Sequence, residues 1–282
     1  MTRMITGAVG VLILIPACFL SHTVVWPVLL SIFALIAVWE LISCVQMKNE
    51  KTLCVLASVF SLLPIITWVL CVNFSVMDPF RCIFVFSAFF FLSMQISAIL
   101  HGNKISTEKL YSFTALVLYV VIAFTAILLI RNFDHGHQEG SYLYLLLFFG
   151  AWISDTFAYF TGKAFGKRKL CPSISPKKTV AGSIGGVVAN MIGFAGYALV
   201  LKNAFDVSAN VLFFAVLGAL FSAIGQFGDL FASGIKRHYG IKDYGKLFPG
   251  HGGVLDRFDS TIAISLVMLM VYAAFGLSFL IG

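Results

Sequence analysis

Charge is scarce in this sequence. Only 11% of its 282 residues are Asp, Glu, Lys or Arg, while 60% are hydrophobic; a soluble globular domain carries about 25% charge. That shortage excludes a soluble enzyme, a disordered chain and a nucleic-acid-binding module. Acids are the scarcer sign, 12 against 19 Lys and Arg, for a net charge of +7. The cations lie in short loops between apolar runs, as membrane proteins carry them, so no nucleic-acid partner is expected. Cysteine is sparse and unpatterned. Cys18, Cys44, Cys54, Cys71, Cys82 and Cys171 form no C-x-x-C and no metal-ligand spacing. Five of them lie in or beside apolar runs and read as small hydrophobes of a membrane core. No internal repeat and no low-complexity tract is evident.

Apolar runs are what the sequence has in plenty. Nine segments, at about 5–21, 24–46, 53–73, 81–100, 111–130, 141–162, 180–201, 208–233 and 257–281, are long enough to cross a bilayer. Backbone groups in lipid must satisfy one another, so the runs are read as helices and the fold as all-α: a polytopic membrane protein of about nine transmembrane helices. The first run follows Arg3 and contains Ile15-Pro16-Ala17-Cys18, a faint likeness to a cleaved leader. Its length favours a span. With the N-terminus in the cytosol, 16 of the 19 Lys and Arg fall on the cytosolic side and 3 (Arg81, Arg131 and Lys202) on the other. That asymmetry supports a cytosolic N-terminus and puts the C-terminus outside. A chain this short, without long tails, suits the bacterial inner membrane.

The two parts of the chain differ. Residues 1–140 read as membrane helices with unremarkable loops, an oligomerising or lipid-facing part. Residues 141–282 read as the catalytic membrane region, with two cytosolic loops holding 11 basic residues. The small-residue pairs Gly182/Gly186 and Gly218/Ser222 are spaced for close helix packing, within a chain or across a homodimer.

Acids inside spans are costly, roughly 2.5–3.5 kcal/mol each on insertion scales, and so point to function. Glu40 stands alone near the cytosolic part of its helix, where pairing with a lysine or snorkelling accounts for it. Asp229 lies in line with Ser222, Gln226 and Ser233 on one helix face, a polar stripe for a bundle interior or wet cavity. Asp155 has Tyr159 and Gly162 beyond it. Asp256 and Asp259 share a face at the start of the last span, beside Arg257 and Ser260. Before them runs Pro249-Gly250-His251-Gly252-Gly253, a turn that lets backbone approach a ligand. Carboxylates from two helices at the cytosolic edge suit a hard cation such as Mg²⁺ shared with a phosphate substrate.

The basic loops agree. Gly162-Lys163-Ala164-Phe165-Gly166-Lys167-Arg168-Lys169 is glycine-punctuated and cationic, but no G-K-[ST] closes it as a Walker A loop. Ser175-Pro176-Lys177-Lys178-Thr179 reads as a helix start, with Ser as N-cap and Pro in the first helical position. Two lysines at a helix N-terminus conflict with its dipole unless an anion binds there. Anchoring to anionic lipid is the plainer alternative.

The stretch Ser233–Asp259 reads S-G-I-K-R-H-Y-G-I-K-D-Y-G-K-L-F-P-G-H-G-G-V-L-D-R-F-D. It closely resembles the long signature of the phosphatidate cytidylyltransferases, or CDP-diacylglycerol synthases. Gly228-Asp229-Leu230, Ser175-Pro176-Lys177-Lys178-Thr179 and Asp155 with Ala158-Tyr159 are similar to further parts of that pattern. The likeness runs from about 150 to 260; the first 140 residues match only as membrane helices. The resemblance implies a reaction in phospholipid synthesis: CTP and phosphatidate give CDP-diacylglycerol and pyrophosphate, by attack of the lipid phosphate on the α-phosphorus of CTP. Metal ions and cations screen the charge of two anionic reactants. The implied roles are Asp229, Asp256 and Asp259 as ligands of Mg²⁺, with room for a second cation. Lys177, Lys178, Thr179 and Lys242 would bind substrate. Lys236, Arg237, Asp243, His251 and Arg257 would serve the catalytic step.

Two departures stand out. Where the family usually has glutamate, this chain has Ala181 and Ala232. Ala232 is three residues after Asp229, on its face. Each change removes an acid from the implied site, so a weakened or inactive relative is one alternative reading. Another is a CTP-dependent enzyme acting on a different lipid phosphate. A transporter would show paired broken helices in matching halves, whereas the acids and glycines crowd into one part at one face.

Overall fold

The computed structural model describes residues 20–100, 105–132, 139–248, 250 and 252–276. Nearly all of the expected first span, with Cys18 and the leader-like stretch, lies outside the described residues. Among the described residues eight helical stretches are long and apolar enough to cross a membrane. They match the other eight expected runs, and the protein is an all-α polytopic membrane protein. The chain divides into two compact units: Met1–His135 with Tyr239–Arg257, and Gly136–His238 with Phe258–Gly282.

In the first unit α1 (Val25–Cys44) packs along α5 (Thr107–Arg131). Trp26, Leu30, Phe113 and Phe124 fill its core. Ser106 caps α5 by accepting the Lys109 N–H at 3.3 Å, and Glu108 and Arg131 match the dipole at its two ends. The expected run 53–73 is not one straight helix. It forms α2 (Lys51–Phe60), the short α3 (Leu63–Thr67) and a π-helical turn, Trp68–Asn73. Pro64 is the cause, since it has no N–H to continue the ladder of α2. Ser31 Oγ on α1 accepts the N–H of the next residue, Ile65, at 3.1 Å. Helix α4 (Pro79–Leu100) turns large apolar side chains outward. Phe84 and Phe89 are 73% and 70% exposed, a face that only lipid or another apolar surface suits.

In the second unit α6 (Glu139–Phe165), α7 (Val180–Ala204) and α8 (Val211–His238) pack against one another. Small residues set the spacing. A Cβ on Gly182 would meet the Ala158 carbonyl at 2.5 Å and Gly162 Cα at 3.2 Å, and one on Gly186 would meet the Ser154 carbonyl at 2.9 Å. The Gly182/Gly186 pair thus serves packing of α7 on α6 within the chain. A Cβ on Gly218 would strike the Asn190 carbonyl at 2.5 Å. Ser154 and Ser222 hydroxyls bond at 2.7 Å, and Gln226 Nε2 donates to Ser222 Oγ at 3.0 Å and to the Ser183 carbonyl at 3.2 Å. The polar stripe expected on α8 is therefore turned into the bundle.

Between α6 and α7 lies an antiparallel hairpin, β1 (Lys169–Cys171) with β2 (Ser175–Thr179), the one sheet among the described residues. This corrects the expected helix start at Ser175. Thr179, not Ser175, is the N-cap of α7, its Oγ1 accepting the Gly182 N–H at 3.1 Å. Lys177 and Lys178 stand on the strand and escape the repulsive first turn that the sequence suggested. The last helix, α9 (Leu255–Phe275), begins in the first unit and runs on into the second.

Candidate active site

Lys178 and Asp229 form the centre of the charged cluster in the second unit. Lys178 Nζ lies 2.5 Å from Asp229 Oδ2, and the two side chains keep about a quarter of their surface exposed, 25% and 27%. The hairpin delivers the lysine, and the α8 stripe delivers the aspartate. Ser233, one turn on, donates its hydroxyl to Asp229 Oδ1 at 3.2 Å. Asp259, near the start of α9, accepts the N–H of Ser260 at 2.7 Å through Oδ1. Asp229, Lys236 and Asp155 all act electrostatically on Asp259. Three carboxylates and two ammonium groups therefore share one neighbourhood. Lys236 belongs to α8 and is buried, whereas the sequence suggested a loop position. Basic residues at Lys236, Arg237 and His238 suit the negative end of that helix.

Glycines bring the hairpin to this place. A Cβ on Gly162 or Gly166 would press on Thr179 Oγ1, at 2.8 and 2.7 Å. Thr179 is buried beneath α6, and its cap fixes where the strand ends and α7 begins. Lys177 points out and is exposed.

Asp256 belongs to the first unit and to the signature loop. Its Oδ2 accepts the N–H of Tyr244 at 2.8 Å and of Gly253 at 2.9 Å. Gly252, at φ +87°, has no room for a Cβ, which would meet Asp256 Oδ2 at 2.6 Å. Phe248 N–H bonds back to the Gly252 carbonyl at 2.9 Å, closing the loop on itself. Lys242, Asp243 and Arg257 are exposed. His251 lies outside the described residues. Tyr239, just after α8, has its hydroxyl pKa raised by burial, with Cys44 and Glu108 adding to the shift. It stays protonated at neutral pH.

Two residues enter this picture without a role assigned from the sequence. Asp155 joins the cluster around Asp259. Glu40 is buried and accepts two backbone N–H groups of the signature loop, those of Val254 and Leu255, each at 2.9 Å. It neither snorkels nor waits for a lysine. An acid within a span was the available signal for both.

Carboxylate oxygens beside Lys178 and Lys236 are hard donors of the kind Mg²⁺ takes. Among the described residues no three His, Cys, Asp or Glu side chains are gathered closely enough to hold a metal ion by themselves. The ammonium group of Lys178 sits where a cation is held against Asp229, so the donor set fits a positive ion there.

Such a fold and cluster define a class: a polytopic membrane protein whose charged cluster sets lysines beside hard-oxygen acids. The chain belongs to the cytidylyltransferase family, whose profile matches residues 1–275. It is 37% identical over 182 residues to the phosphatidate cytidylyltransferase of Bacillus subtilis, a match covering 63% of each chain. It is 41% identical over 144 residues to that of Staphylococcus haemolyticus, 51% of this chain and 52% of the relative. To the Staphylococcus aureus enzyme it is 44% identical over 128 residues, 45% of this chain and 48% of the relative. The matched stretches thus span between about half and under two thirds of these relatives.

Proposed function

We propose that the chain transfers the cytidylyl group of CTP to phosphatidate, giving CDP-diacylglycerol and pyrophosphate at the cytosolic membrane face. The observation that carries this reading is the Lys178–Asp229 pair within the acid cluster of Asp155 and Asp259. It joins two of the segments that resemble the family pattern, Ser175–Thr179 and Gly228–Leu230. The lipid phosphate oxygen forms a bond to the α-phosphorus, and the bond to the departing pyrophosphate breaks. Both reactants are anionic, so cations must line their approach.

Lys177 and Lys178 offer two such cations from a strand whose end is fixed by Thr179. Lys236 and Arg237 add charge from the end of α8, and Arg257 from the start of α9. Lys242 would bind substrate, and Asp243 and His251 would serve the transfer step. Asp229, Asp256 and Asp259 remain the proposed Mg²⁺ ligands, with a second cation where the triphosphate requires it. The three do not form a metal site by themselves, so they would need oxygens of the triphosphate beside them. When bound, Mg²⁺ supplies Lewis-acid screening of the triphosphate and of the leaving pyrophosphate. Lys178 then has two partners to choose from, Asp229 in the resting protein and a phosphate in the loaded one.

The test is CTP-dependent conversion of phosphatidate by the purified protein in detergent, with Mg²⁺, after chelation, and after Mg²⁺ is returned. An Asp256→Asn variant runs beside it. Product that disappears on chelation, returns with Mg²⁺ and is lost in the variant is the expected outcome. A folded protein that binds CTP and makes no product from phosphatidate would overturn the reading, and product from a different lipid phosphate would redirect it.

A further inference from the structure

Glu40 and the signature loop are 214 residues apart in sequence and in direct contact in the first unit. Glu40 Oε1 accepts the Val254 N–H and Oε2 the Leu255 N–H, both at 2.9 Å. Leu255 opens α9 and Val254 precedes it. Such amides are what a helix start leaves open, and where a phosphate ordinarily settles. Here the chain fills that place with its own carboxylate, so this helix end is closed to substrate.

The glycines record the same contact from the other side. A Cβ on Gly253 or on Gly245 would overlap the Glu40 carboxylate. Two of the loop's glycines are therefore bare because Glu40 lies against them. Asp256 Oδ2 takes the neighbouring Tyr244 and Gly253 amides. Two acids thus hold four backbone N–H groups at the two ends of the 244–255 loop. Glu40 is 8% exposed and inside a membrane helix, where a leucine would fill the space at no electrostatic cost.

We propose that Glu40 is a positioning residue for the transfer reaction. Acting through Val254 and Leu255, it locks the loop from Tyr244 to Leu255 and so fixes the direction in which Asp256 and Arg257 are presented. It touches no substrate. The first part of the chain is then a working part of the catalytic apparatus as well as a membrane anchor. The proposal rests on the transfer reading for its kinetics, and its structural half has a readout of its own.

The full chain in detergent is compared with Glu40→Gln, Glu40→Asp and Glu40→Ala, by kinetics, thermal unfolding and amide hydrogen exchange. Glutamine keeps the shape but turns one acceptor into a donor that faces a backbone N–H. Expected for Glu40→Gln is a kcat lower by on the order of 10²-fold, as for a misplaced reacting group. KM for phosphatidate should stay within about twofold, because uniform binding is untouched. Exchange should quicken in the peptide covering 244–258 and stay as in the parent elsewhere. Aspartate, which reaches one amide, should restore part of kcat. Gly253→Ala should be damaging in the parent and nearly silent added to Glu40→Ala, which makes room for the methyl.

Unchanged kcat and exchange in Glu40→Gln overturn the proposal. So does a loss of activity that only follows a lower melting temperature, with exchange rising along the whole chain. If Glu40→Ala fails to fold, the two conservative variants decide. A parent that makes no product sinks the transfer reading. Exchange confined to the loop in Glu40→Gln would then still support the clamp, and exchange like the parent's would overturn it.

Discussion

Lys178 and Asp229 illustrate how little a close ion pair need contribute to stability. Both side chains are about a quarter exposed, although the Lys178 ammonium nitrogen itself is buried, and partly exposed pairs are worth about 0–1 kcal/mol. Their value lies in what else each can bind. Lys178→Met and Asp229→Asn should each lower kcat/KM by about 10²–10³-fold, the usual loss for one electrostatic contact in a transition state. Unfolding midpoints should barely move. The double variant should lose less than the two single losses multiplied, because the partners act as a unit. Equal losses in stability and activity would count against a catalytic role. The alanines nearby make the opposite experiment. Ala232 follows Asp229 on α8, and Ala181 is the second residue of α7. Glutamate at 181 meets the positive end of the helix, worth about 0.3–1 kcal/mol near a surface, so Ala181→Glu should not destabilise. Either glutamate should raise activity or Mg²⁺ affinity. No gain in the CTP-dependent assay from either or both would end that idea.

At the scale of elements, legibility follows periodicity. The eight described spans could be read because lipid forces apolar runs into helices, whatever they pack against. The stripe Ser222, Gln226, Asp229 was readable for the same reason, since helical spacing puts it on one face. What escaped was decided by single competing groups. The β1–β2 hairpin was missed because Ser175 and Thr179 are both good caps, and the sequence does not say which is used. Pro64 was visible, but its effect depended on Ser31 being there to take the Ile65 N–H. Glu40 was noticed as an acid in a span, yet its partners lie in a distant loop that spacing cannot connect to it. The packing of α6 on α7 was half legible. Gly182 and Gly186 announced a close approach, and Ala158 and Ser154 as the surfaces approached are known only from the fold. Since the Ala158 carbonyl leaves no room for a side chain, Gly182→Val should wedge the helices apart. Overpacking of this kind costs about 1–3 kcal/mol and should show as a lower unfolding midpoint. It should also displace Thr179 and the lysines it anchors, so activity should fall further than the loss of folded protein explains. A Gly182→Val variant as stable as the parent would mean that α6 and α7 are free to part.

For the whole molecule the open quantity is orientation, and the basic residues make a definite claim about it. Sixteen of nineteen Lys and Arg fall on the side assigned to the cytosol, the N-terminus included. Helix α7 crosses once between the hairpin and Lys202, so labels at Lys167 and Lys202 must report opposite faces. Both side chains are exposed, and of the native cysteines in the described residues only Cys171 is not buried. Lys167→Cys and Lys202→Cys, each made with Cys171→Ser, can therefore be read with a membrane-impermeant maleimide. Lys167→Cys should react in inside-out vesicles and not in right-side-out ones, and Lys202→Cys the reverse. Labelling of both on one face would mean that α7 does not span. A clean reversal would keep the span and overturn the orientation, turning Lys177 and Lys178 away from the compartment that holds CTP. The transfer reaction needs its nucleotide and its basic hairpin on the same side of the bilayer, so the reversed result would remove the proposed function along with the topology.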